Sequence, residues 1–179
     1  IDNLEQKEFD LKTGILLAEK EVLAIITIED TIKENSVKAI NSLHKMGIDT
    51  SLVSGDNKNT SEKVAQKVGI NDVISEVLPQ GKLDYVKKIQ SLNKIVAFIG
   101  DGINDAPSLT KADVGIAMGT GTDVAIESGD MILVNGDLLN AVAGIQISKK
   151  TMSRVKLNLF WAFAYNVILI PIAAGILIP

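Results

Sequence analysis

The sequence contains no cysteine, which excludes a disulfide framework and any thiolate site built from this chain alone. It has a single histidine, His44. Without a second His or any Cys to complete a ligand set, His44 reads as a surface or packing residue. Acidic residues stop at Asp137, and from Leu157 to Pro179 there is no charge of either sign. Residues Ile1 to Lys12 are polar and carry no signal-peptide pattern, so the chain is expected to open inside a longer protein. No internal repeat or low-complexity segment is visible. The methionines, numbers 46, 118, 131 and 152, read as core filling rather than as a metal box.

What is present divides sharply along the chain. The 179 residues suffice for one ordinary domain with an appendage. Hydrophobic residues make up 46% of the sequence, an excess concentrated in the uncharged stretch after Leu157. That stretch has 23 residues, where about 20 suffice for a helix to cross a bilayer. Trp161 near its start fits an interfacial aromatic. Before residue 138 there are 14 basic and 22 acidic side chains, a net charge of −8. The remainder carries only Lys149, Lys150, Arg154 and Lys156. Basic residues just before an apolar span mark its cytoplasmic side. The acidic region, residues 1–156 with its basic end, is therefore expected in the cytoplasm beneath a plasma or bacterial inner membrane, with lipid as a partner. Its charge opposes nucleic acid binding.

Apolar runs of strand length alternate with helical periodicity. Two strands around Glu19-Lys20-Glu21 come first. The spacing of Ile32, Val37, Ile40, Leu43 and Met46 predicts a helix capped by Thr31 and stopped by Gly47. A strand over 48–53 follows, then a helix from about Thr60 to Val68, a short strand over 72–77 and a helix from Pro79 to about Leu92. Strands at 94–100, 114–117 and 131–134 complete the pattern, with a short helix after Pro107. A last helix begins at Asp137-Leu138, with Pro171 expected to kink it. This alternation predicts an α/β fold with a doubly wound parallel sheet, followed by a long helix entering the membrane.

The chemistry concentrates at the predicted carboxyl ends of three strands. Lys94 to Ile99 runs into Gly100-Asp101-Gly102-Ile103-Asn104-Asp105-Ala106-Pro107, which places two carboxylates at a strand end and helix start. Such a pair can share one hard cation such as Mg2+, with substrate phosphate as a further ligand. Taken alone, the same residues also fit a plain turn with Asp as a helix cap. Ser54-Gly55-Asp56 supplies a hydroxyl and a glycine N–H for phosphoryl oxygens, and Lys82 after Pro79 supplies positive charge. In a parallel sheet these strand ends face one crevice.

The run 100–107 resembles the hinge motif of P-type ATPases, within the haloacid dehalogenase superfamily. Ala112-Asp113-Val114-Gly115-Ile116-Ala117-Met118-Gly119 and Gly121-Thr122-Asp123-Val124-Ala125 extend the resemblance. Asn158 to Phe163, Tyr165-Asn166 and Pro171 to Gly175 resemble the copper-transporting heavy-metal branch. The match runs from about Gly14 onward. It implies that Asp101 and Asp105 bind the catalytic Mg2+ with Asn104 assisting, and that Lys82 contacts a phosphorylated aspartate. Ser54-Gly55-Asp56 stands where the family usually has Thr-Gly-Asp, keeping the hydroxyl and losing a methyl. Thr60-Ser61 replaces the usual Thr-Ala.

The family's phosphorylated residue lies in Asp-Lys-Thr-Gly-Thr. Here Asp10-Leu11-Lys12-Thr13-Gly14-Ile15 carries an extra Leu and follows polar residues instead of an apolar strand, so it reads as chance similarity. The resemblance therefore implies an ATP-driven heavy-metal cation exporter, with Cu(I) as cargo, whose phosphorylated Asp, actuator domain, most of the nucleotide-binding domain and further membrane helices lie outside this chain. The expected layout is residues 1–28 as the tail of the nucleotide-binding insertion and return strand, 29–137 as the phosphorylation domain, 138–156 as a linking helix and 157–178 as the membrane helix. Tyr165 and Asn166 either bond neighbouring helices or contribute to the transport site, as the copper branch implies; soft partners for Cu(I) would come from elsewhere. The alternatives are a zinc, cadmium or silver transporter of the same class, a soluble phosphatase, and a membrane-anchored module without turnover. The chain alone is not expected to form a phosphoenzyme.

Overall fold

The computed structural model describes the backbone of residues 13–18, 22–28 and 31–175 and the side chains of residues 31–175. The chain forms two compact units, residues 1–139 and 140–179. Asp10 lies outside the described residues.

The first unit opens with an antiparallel pair, β1 (Thr13–Ala18) and β2 (Val22–Ile28), with a register shift between Leu17 and Ala18. Helix α1 (Ser36–Lys45) follows. Strands β3 (Ser51–Val53) and β4 (Asp72–Ile74) pair in parallel and are joined by α2 (Lys58–Val68). After α3 (Pro79–Ser91) comes a parallel three-stranded sheet in the order β5 (Ala97–Gly100), β6 (Val114–Met118), β7 (Met131–Leu133). A 3-10 turn over Ile103–Asp105 and α4 (Ala106–Lys111) link β5 to β6, and α5 (Asp123–Ser128) links β6 to β7. The architecture is thus a parallel-sheet α/β domain with helical crossovers, and β6 is its most deeply buried strand among the described residues.

Sequence patterning located the elements, but several boundaries move, and α1 and β3 both start later than expected. Strand β4 ends at Ile74 rather than at Val77, whose N–H donates to Ser54 O in a loop, and β5 begins at Ala97 rather than at Lys94. Helix α1 begins at Ser36 rather than at Thr31. The segment before it turns instead, with Ser36 N–H on Lys33 O at 3.0 Å and the Asn35 amide on Asp137. Strand β3 begins at Ser51 rather than at Ile48, because Gly47 and Ile48 donate back to His44 O and Leu43 O to close α1. Helix α2 is set by its cap, with Asn57 Oδ1 accepting the Thr60 N–H at 2.9 Å.

Val86, Leu109, Ile116, Ala117 and Ala125 are almost fully buried and form the core between the helices and β6. Ser108 on α4 is completely buried, and its Oγ has no hydrogen-bond partner. A buried hydroxyl left unpaired costs about 1–3 kcal/mol. Ser108→Ala is therefore expected to stabilise the unit by about 1 kcal/mol, read as a higher urea midpoint at unchanged slope; a lower midpoint would contradict this.

At the amino ends of β3 and β4, the hydroxyls of Ser51 and Tyr85 both donate to Asp72 Oδ2 at 2.5 Å. These bonds, that of Ser51 first, hold the Asp72 carboxyl below its usual range. Burial, and then the bond to Asp72, raises the Tyr85 phenol. The cluster pins the two strands at the end opposite Ser54-Gly55-Asp56.

The second unit consists of most of α6, a single helix over Leu138–Ala173. Its 36 residues give a length of about 54 Å. It is the one helix among the described residues long and apolar enough to cross a membrane. Pro171 sits inside it, and the helix continues two residues further.

Candidate active site

The site is assembled at the carboxyl ends of the parallel strands. Strand β5 ends at Gly100, and the chain turns through Asp101 and Gly102 into the 3-10 turn that carries Asp105. Asp105 is buried, with 6% of its surface exposed, whereas Asp101 and Asn104 are exposed. The Asp105 N–H donates to Gly102 O at 3.0 Å, and the Gly102 N–H points back at Asp105 Oδ2 at 3.4 Å. A buried carboxylate requires a partner. Lys82 Nζ, from the first turn of α3, lies 2.7 Å from Asp105 Oδ1. The two side chains are only 19% and 9% exposed.

Gly100 is what lets that carboxylate in. A Cβ built there would lie 2.7 Å from Asp105 Cβ and 2.9 Å from its Cγ, inside any tolerable carbon contact. The backbone of Asp101 is held from another side. Thr122 N–H donates to Asp101 O at 2.9 Å, and Gly121 packs so closely on the same carbonyl that a Cβ would collide with it. The role of Gly121 and Thr122 was not readable from local pattern. Its signals were a second glycine-rich turn, Gly119-Thr120-Gly121, after the next strand, and the place of Gly121 and Thr122 in a run that extends the family resemblance.

Ser54-Gly55-Asp56 follows β3. The Ser54 hydroxyl donates to Asp56 Oδ2 at 2.7 Å and accepts the Asp56 N–H at 3.1 Å, a local turn that pre-orients it. This loop is tied to the one after β4, with Val77 N–H on Ser54 O at 3.0 Å and Glu76 N–H on Asp56 O at 2.9 Å. The loop after β4 leads into α3 and so to Lys82. Hydrogen-bonded backbone thus runs from Ser54 to the helix whose lysine meets Asp105. In the second unit, Asn166 Nδ2 donates to Ala162 O at 2.8 Å within its own helix, and Tyr165 is exposed. These two residues are in the other unit from the strand-end groups.

The sequence family described as haloacid dehalogenase-like hydrolase matches residues 2–113. The chain belongs to the haloacid dehalogenase-like hydrolases. The match covers all three strand-end segments of this hydrolase domain. Over 161 residues the chain is 53% identical to a copper-transporting ATPase 2 of Rhizobium meliloti (strain 1021), covering 90% of this chain and 20% of that protein. It is 50% identical over 177 residues to a probable copper-exporting P-type ATPase of Archaeoglobus fulgidus, covering 98% of this chain and 22% of the relative. Among solved structures, a zinc-transporting PIB-type ATPase in an E2·Pi state superposes with a TM-score of 0.82 at 31% identity, covering 93% of this chain and 28% of the other. The chain spans about a fifth of the length of the curated relatives it matches. A haloacid dehalogenase-like domain followed by a long apolar helix is therefore common ground with P-type ATPases.

The donor set fits a magnesium ion. Asp101, Asp105 and Asn104 offer only hard oxygens, and Lys82 leaves the two carboxylates with a net charge of −1. Among the described residues the Asp101 carboxylate makes no hydrogen bond or ion pair. No group of three or more His, Cys, Asp or Glu is gathered among the described residues. Magnesium suits such an open arrangement, because it retains waters and takes substrate phosphate as a ligand instead of an all-protein cage.

Proposed function

We propose that this chain is the phosphoryl-handling domain and one membrane helix of an ATP-driven heavy-metal exporter that moves Cu(I). The observation that carries this reading is identity of about 50% to copper-exporting P-type ATPases along nearly the whole chain, the long apolar helix included. The solved relatives named as zinc transporters stand at 31% and 32% identity, which favours copper over zinc. The membrane would lie around the part of α6 after Lys156, with residues 1–156 on the cytoplasmic side.

In this reading Asp101 and Asp105 hold Mg2+ with Asn104 beside them, and ATP is the phosphoryl donor. The ion, when bound, neutralises charge on the transferring phosphoryl group. Ser54 turns its hydroxyl from Asp56 to a phosphoryl oxygen, and the Gly55 N–H accompanies it. Lys82 is held at the site by Asp105 and bridges from that carboxylate to the phosphoryl oxygens. The acceptor aspartate comes from outside this sequence. Among the described residues, strands β3 and β5 are each paired on one side only. Lys94 Nζ on Asp49 Oδ2 at 3.3 Å ties the segments leading into them, and a further parallel strand between them would deliver that aspartate beside Lys82 and Asp101.

Asn166 contributes its free amide oxygen to the transported cation, with sulfur ligands supplied by other helices. The test is metal-stimulated ATP hydrolysis by the full-length transporter in proteoliposomes. Cu(I) is expected to stimulate turnover in the parent, and Asn166→Ala to lower that stimulation by about tenfold or more. Unchanged stimulation in the variant removes Asn166 from the ion site, and stimulation by Zn2+ alone overturns the copper assignment.

A further inference from the structure

Two turns a hundred residues apart in sequence meet in the first unit. Lys33 Nζ donates to Gly136 O at 2.9 Å, and Asn35 Nδ2 donates to Asp137 Oδ2 at 2.7 Å. Both bonds join the segment between β2 and α1 to the turn between β7 and α6, and neither belongs to a helix or a sheet. Gly136 is buried at a φ of +58°. A Cβ there would lie 2.9 Å from Thr120 Oγ1 and 3.0 Å from Lys33 Nζ. The glycine is therefore flanked by the ammonium and by the side chain of Thr120. Thr120 belongs to the loop after β6 whose next residues, Gly121 and Thr122, grip the Asp101 carbonyl. In the other direction, Asp137 Oδ1 accepts the Leu139 N–H at 2.9 Å and caps the first turn of α6.

We infer that Lys33 is a positioning residue: together with Asn35 it clasps the 136–137 turn, which braces the 119–122 loop against Asp101 and fixes the first residues of α6. Contact is continuous from Lys33 through Gly136, Thr120 and Thr122 to Asp101. Without the ammonium, the carbonyl of a buried residue is left unpaired and the turn is free to relax. A displacement of this one turn then reaches both the phosphoryl site and the start of the long helix, two places that a transport cycle must connect. That last consequence, and the role of Asp101 as a magnesium ligand, rest on the proposed function. The clasp does not.

Amide hydrogen exchange on the whole chain in detergent micelles reads the clasp with no ligand present. Lys33→Met is expected to speed exchange of the Thr122 amide by about tenfold, and Lys33→Arg to restore it. The Gly69 amide, bonded to Ala65 O at the end of α2, is expected to stay unchanged. Asn35→Ala is a milder second variant, expected to speed exchange at Leu139 severalfold. Thr122 exchange unchanged by Lys33→Met overturns the inference, as does equal acceleration at Gly69 without rescue by Arg. Mn2+ binding, followed by its EPR signal, separates the two readings. Weaker Mn2+ affinity in Lys33→Met supports both. A parent chain that binds no Mn2+ while Thr122 still responds removes the magnesium assignment and leaves the clasp standing. Mn2+ binding in the parent with no response at Thr122 removes the clasp alone.

Discussion

Replacing Lys82 with methionine is expected to destabilise the first unit by about 3 kcal/mol or more. The reason is asymmetry: a buried ion pair contributes little net stability, but removing one partner strands the other charge, at a typical cost of about 3–5 kcal/mol. Asp105 is 6% exposed and Lys82 Nζ sits 2.7 Å from its Oδ1. The Gly102 N–H at 3.4 Å is too long to take over the charge. Against the 5–15 kcal/mol that holds an ordinary domain together, this is a large fraction. Urea unfolding of the detergent-solubilised chain measures it. Asp105→Asn on the Lys82→Met background is expected to recover part of the loss, because it removes the stranded charge. A Lys82→Met chain as stable as the parent would mean that Asp105 is compensated by something other than Lys82.

Gly100→Ala is expected to be as damaging, for steric reasons. The added methyl meets the Cβ, Cγ and Oδ2 of Asp105 at 2.7, 2.9 and 3.0 Å. These are atoms of a short buried side chain on a 3-10 turn, which has no flexible end to swing away. Overpacking of this kind costs about 1–3 kcal/mol, and displacement of Asp105 from Lys82 adds part of the ion-pair penalty. The variant should lose stability by about 2–4 kcal/mol, with weaker divalent-ion binding. Gly102→Ala is the control, because a Cβ there comes no nearer to Asp105 than 3.7 Å. Similar losses in the two variants would deny Gly100 its special role.

The contrast between these two glycines shows what a sequence can and cannot display. Gly100-Asp101-Gly102 and Asp105 were legible as a strand end with two carboxylates, because glycine turns and spacing are local properties. The order of strands and helices was legible for the same reason. The ion pair between Lys82 and Asp105 was not, since nothing local fixes a contact across 23 residues. The start of α1 was misplaced because the bonds that divert its first turn come from Gly136 and Asp137. The grip of Gly121 and Thr122 on Asp101 joins two loops that only the pairing of β5 with β6 brings together. The Tyr165-Asn166 reading rested mainly on resemblance to a family, beside the cost of polar residues in a membrane helix. In α6 the Asn166 amide is satisfied by Ala162 O, as any polar residue in an apolar helix requires.

In the proposed function these strand-end carboxylates serve phosphoryl transfer to an aspartate supplied from beyond this sequence. Labelling of the full-length protein with γ-phosphate-labelled ATP in the presence of Mg2+ and Cu(I) tests it most directly. An acid-stable, hydroxylamine-sensitive phosphoenzyme is expected in the parent, and Asp101→Asn should reduce its formation rate by about a hundredfold or more. Equal labelling with and without the Asp101 carboxylate would contradict the account.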